Sequence, residues 1–102
     1  MVTDDQAEAT FDEAAWRAVD LGNHLAQVDE EADVWDIADG MLAGAIQYWL
    51  YSREPCENPR CEDCAEFSTA EQRLAALQRL VREYAEESEY YHSRNDANVG
   101  RA

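Results

Sequence analysis

Residues 33–55 read DVWDIADGMLAGAIQYWLYSREP, the longest apolar stretch in the chain. Val34, Ile37, Ala38, Met41, Ala45 and Tyr48 recur at spacings of three and four, the period of one helix face. Trp35, Leu42, Ile46 and Trp49 widen that face, as a core-facing helix requires. The pattern predicts a helix over about 33–53, ended where Glu54 meets Pro55, because the residue before a proline is pushed out of the helical region. The run from Met41 to Leu50 is shorter than the roughly 20 residues a membrane helix needs and is broken by Gly44 and Gln47. No membrane span is expected.

The same period appears on either side. Phe11, Ala14, Ala18, Leu21, Leu25 and Val28 predict a first helix over about 4–28, with Thr10 and Glu13 as a possible capping box and Thr3 with Gln6 offering an earlier start. Ala70, Leu74, Leu77, Val81, Tyr84 and Tyr91 predict a third helix over about 69–92, opened by Ser68 and Glu71. A loop over 54–67 joins the second and third, and a polar tail follows over 93–102. No strand pattern competes. With 102 residues and 46% hydrophobic content, the chain has enough for one modest core. The fold class expected is all-α: a single-domain up-down-up three-helix bundle with a cysteine-bearing loop between helices 2 and 3.

Charge bounds the environment. Asp and Glu number 23 against 8 basic residues, all arginine, for a formal net charge of −15. A chain this acidic with no lysine resembles the cytosolic proteins of halophilic archaea, which work in molar salt. That likeness lies in composition and singles out no family; it implies a fold whose carboxylate coat is tolerable because charges are screened within about 3 Å at 1 M salt. The N-terminal residues Asp4, Asp5 and Glu8 replace the positive charge of a secretory signal, so a cytoplasmic location is expected. Direct nucleic-acid binding is disfavoured, since no basic patch exists to release counterions from phosphates. Mimicry of nucleic acid is a lesser reading, drawn from the crowding of acids in residues 1–34.

The chemistry concentrates in Cys56-Glu-Asn-Pro-Arg-Cys61-Glu-Asp-Cys64, which holds all three cysteines. A C-x2-C pair lets two thiolates face one ion from a single turn, and Cys56 supplies a third soft ligand across the loop. Cys56, Cys61 and Cys64 are therefore the candidate metal ligands, with Zn²⁺ the expected ion. The spacing also opens the plant-type ferredoxin pattern, but that needs a fourth cysteine this chain lacks. At about 1.5 Å per residue, a helix from Ser68 to His92 spans roughly 36 Å, so His92 lies far from the loop, as does His24. The fourth ligand is then Glu54, Glu57, Glu62, Asp63, Glu66, a water or a group from another subunit. The blander readings are a Cys61–Cys64 disulfide, disfavoured in a reducing cytosol, and idle surface thiols.

Glu89-Tyr-Tyr-His92 matches the Glu-x-x-His of di-iron bundles, but a single copy makes a solvated helix end the better reading. Gly40 and Gly44 each cost a helix about 1 kcal/mol against alanine, which points to close packing by a neighbour, within the chain or across a dimer. Trp16 and Val19 fall off the first helix's inward stripe, and Tyr90 falls off the third's. No phosphate loop, Ser–His–Asp set or nucleophile elbow is present. The expectation is a non-enzymatic interaction or regulatory protein, a homo-oligomer or bound to a protein partner. The rival is a thiol-based redox or metal-sensing protein.

Overall fold

The structure, a computed structural model, describes residues 4–58, 60–94 and 96. Among them lie three α-helices and no strand: α1 (Asp4–Val28), α2 (Val34–Ser52) and α3 (Ala70–Glu87), with a 3-10 turn at Ala65–Phe67 before α3. None of these helices is long and apolar enough to cross a membrane. The chain divides into two compact units, Met1–Tyr51 and Ser52–Ala102.

In the first unit, α1 starts at Asp4, earlier than Thr10. Thr10 sits inside the helix instead, its hydroxyl donating to the Gln6 carbonyl at 2.9 Å. The alternative start at Thr3 lies outside the described residues. Asp4 and Asp5 occupy the first turn, where negative charge meets the positive end of the helix dipole. After Val28 the chain reverses: the Asp29 carbonyl accepts from Ala32 N–H at 3.1 Å, and its carboxylate accepts from Glu31 N–H at 3.0 Å. Asp33 then caps α2, its carboxylate accepting from Trp35 N–H at 2.9 Å.

The two helices of this hairpin approach at Gly22. A Cβ added there would meet Met41 Sδ at 2.9 Å and Ile37 Cγ2 at 4.0 Å. The close approach expected at Gly40 and Gly44 is not made by the described residues of this unit, since none lies within 4 Å of a Cβ built on either. They line an open apolar groove of about 890 Å³, flanked by Leu21 and Leu25 of α1 and by Met41 of α2. Ile37, Met41, Ile46 and Trp49 are half-buried, but the rest of the expected stripe is exposed: Val34 at 63% and Tyr48 at 71%. No described residue is fully buried, so the modest core expected of a bundle is not formed by the described residues.

In the second unit, α3 opens one residue later than expected. Thr69, extended at φ −117° and ψ 155°, accepts from Gln72 N–H at 3.1 Å, and the Gln72 side chain accepts from Thr69 N–H at 3.0 Å. The capping box is Thr69 with Gln72, not Ser68 with Glu71. The helix also ends early, at Glu87, where Ser88 turns extended at ψ 139°. Arg73, Ala76, Leu77 and Leu80 form its half-buried face. The tail expected over 93–102 lies largely outside the described residues.

Candidate metal centre

The cysteine loop starts where Pro55 has ended α2 and stops where the 3-10 turn meets α3. Its shape comes from Asn58. The Asn58 carboxamide oxygen accepts from Arg60 N–H at 3.0 Å, and its carbonyl accepts from Cys61 N–H at 3.1 Å, closing a turn that brings Cys61 back toward Cys56. Pro59 lies outside the described residues. A second reversal follows, with the Glu62 carbonyl accepting from Ala65 N–H at 3.3 Å and the Cys64 carbonyl accepting from Phe67 N–H at 2.9 Å. The turn is anchored to α3 by Arg73, whose half-buried guanidinium donates to the Phe67 carbonyl at 2.6 Å.

These turns gather the three sulfurs within 4.8 Å of one another. Cys64 Sγ lies 3.6 Å from Cys56 Sγ and accepts from Cys56 N–H at 3.4 Å, while the Cys56 thiol points to the Asn58 carbonyl at 3.9 Å. All three cysteines are free thiols, Cys56 exposed and the other two half-exposed. A disulfide bond would need sulfurs about 2.05 Å apart, so no pair is bonded. A tetrahedral ion holding sulfurs at about 2.3 Å separates them by roughly 3.8 Å, and the 3.6 Å between Cys56 and Cys64 matches that spacing. Cys56, Cys61 and Cys64 are thus positioned to hold a metal ion.

Among the described residues no carboxylate or imidazole lies within this 4.8 Å group. A cavity of about 220 Å³ opens beside Cys64, lined by Ser52, Arg53, Glu54, Pro55, Asp63 and Phe67. The thiols differ in acidity. Cys61 is held below the ordinary thiol range by the Cys64 N–H, then by the Cys56 and Cys64 side chains and the Asp63 N–H. At Cys64 the Cys56 N–H also favours the thiolate, but the neighbouring Cys61 and Cys56 side chains, desolvation and the Cys56 charge outweigh it and raise the thiol.

Neither histidine is among the clustered ligands. His24 lies within α1, and His92 lies past the end of α3, 3.4 Å from Asp96 and edge-on to the Tyr91 ring at 4.8 Å. Asp96 is held below the usual carboxylate range by the Ser93 N–H, then the Ser93 hydroxyl, with His92 contributing less. Because α3 stops at Glu87, Glu89 and His92 do not share a helical turn, and the di-iron geometry is missing. Trp16 and Val19 are exposed, at 73% and 62%, but so are Leu21 and Val28 of the expected α1 stripe, at 50% and 64%; the half-buried residues of α1 are Gly22 and Ala26, and Tyr90 is exposed at 85%. The Arg73 anchor was missed by sequence reasoning: an arginine in the first turn of a helix gives no sign of which carbonyl it will reach. Scans against family models, curated proteins and solved structures find no match for this chain.

Proposed function

We propose that the chain is a non-enzymatic interaction or regulatory protein of the cytoplasm whose loop is clipped by one Zn²⁺ on Cys56, Cys61 and Cys64. The observation that carries this reading is the convergence of three thiols within 4.8 Å on one short loop. Such a cluster scarcely exists in an unfolded chain, so binding the ion stabilises the loop and the start of α3 together. Metal analysis of protein purified reduced and without added zinc tests it, paired with Cys61→Ser. One zinc per chain, lost in the variant along with several degrees of melting temperature, is the expected result. No stoichiometric metal and an unchanged melt would make the cysteines idle thiols.

The proposal includes a homodimer. Gly40 and Gly44 face an open groove of about 890 Å³ rather than a neighbour in their own unit, and the exposed side chains of this unit include Trp35 at 80%. A second copy of the hairpin matches the apolar groove, and closed twofold pairs dominate soluble oligomers. The rival reading is a thiol-based redox or metal sensor, favoured by the accessibility of the thiols. Thiol reactivity with and without a chelator separates the two. Slow labelling that becomes fast only on chelation marks a buried structural clip, while thiols that label fast in both conditions mark the exposed, reactive cysteines of a sensor.

A further inference from the structure

We infer that the Cys56–Cys61–Cys64 cluster is a receptor for trivalent arsenic, taken up as arsenous acid. The inference rests on the reading of the cluster as a metal centre and names the ion its geometry and charge fit beyond Zn²⁺. Three sulfurs lie within 4.8 Å of one another, and among the described residues no histidine, aspartate or glutamate joins them. A divalent ion that prefers four ligands must recruit one from outside. Trivalent arsenic completes its valence with three bonds, and its lone pair occupies the remaining direction. Thiolate softness suits it as it suits other thiophilic ions.

Charge sharpens the choice. The loop carries Glu54, Glu57, Glu62, Asp63 and Glu66 against Arg53 and Arg60. Three thiolates around a divalent ion leave a net negative charge in this acidic surrounding, whereas three around a trivalent centre leave none. Arsenous acid is itself uncharged near neutral pH, so the acidic coat does not repel it. The cavity of about 220 Å³ beside Cys64 is wide enough to admit it. In the reaction As(OH)₃ condenses with three thiols. Each step breaks one As–O bond and one S–H bond, forms one As–S bond and releases one water. Arsenic stays trivalent and no electrons are transferred.

The test uses the full reduced chain titrated with sodium arsenite, with zinc titrated in parallel. Intact mass should show one arsenic gained and three hydrogens lost per chain, and all three thiols should become unreactive to a disulfide reagent. In Cys61→Ser, with circular dichroism confirming the helices, affinity for arsenite should fall about 100-fold or more, because one arm of the chelate is gone. Two thiols consumed with the third still reactive, or unchanged affinity in the variant, would overturn the inference. Should the variant lose its helices, the thiol count in the parent chain decides alone. Zinc bound while arsenite is refused would overturn the arsenic assignment and leave the zinc clip standing; refusal of both would overturn both.

Discussion

Cys61 and Cys64 leave one short turn with opposite acidities, because the Cys64 N–H favours the Cys61 thiolate while crowding by sulfur and desolvation disfavour that of Cys64. The thiolate is the nucleophile, so in metal-free protein Cys61 should be alkylated before Cys64 at any pH below the ordinary thiol range. The difference should shrink as pH rises through that range and both ionise. Peptide mapping after brief iodoacetamide treatment measures it, and faster labelling of Cys64 would contradict the hydrogen bonding described. The three candidate ligands were legible in the sequence because soft ligands crowded into so short a stretch have few other uses. The approach of Cys56 to Cys64 was not, since it depends on Asn58 receiving two N–H groups at once. The fourth ligand was illegible for a related reason: five acids in the loop carry the right atoms, and a sequence does not say which of them stands near the sulfurs.

Helices declared themselves through their period, and their ends did so less well. Ser68 with Glu71 and Thr69 with Gln72 both satisfy the capping pattern, and the backbone chooses between them: Ser68 keeps helical angles to close the 3-10 turn, while Thr69 is extended. Thr69→Ala should therefore cost about 1 kcal/mol in chemical denaturation, and Ser68→Ala should cost less than half of that. Equal losses would show that the cap is shared. The glycines allow a second comparison. Alanine at Gly44 meets open space and should gain about 1 kcal/mol of helix propensity in the monomer. Alanine at Gly22 must displace Met41 Sδ and should gain less. If Gly44→Ala also weakens self-association in light scattering, the groove holds a second copy. An unchanged dimer would place that interface elsewhere.

For the whole molecule the formal charge of −15 dominates. The ion pairs Arg17–Glu13 at 2.7 Å and Arg82–Glu86 at 2.8 Å are exposed and contribute little. Little offsets the remaining repulsion in dilute buffer. Unfolding followed by circular dichroism should show stability rising from dilute buffer to molar KCl, as screening shortens the reach of each carboxylate. Equal stability at both ends would detach the acidity from salt. The all-α class was readable because three segments share one period and none alternates. The up-down-up packing was not, since a periodic stripe says that a face wants cover without saying what covers it. One further consequence follows from the contact between Arg73 and the Phe67 carbonyl. Phe67 is itself bonded to the Cys64 carbonyl, so a continuous chain of hydrogen bonds runs from the body of α3 to a sulfur-bearing residue. An ion held at the proposed site would then be linked to this helix: whatever grips the first turn of α3 would change the hold on the ion, and the ion would return the effect in equal measure. Amide exchange at Arg73 should slow when metal binds, which makes this helix the face on which a partner would sense whether the loop is loaded.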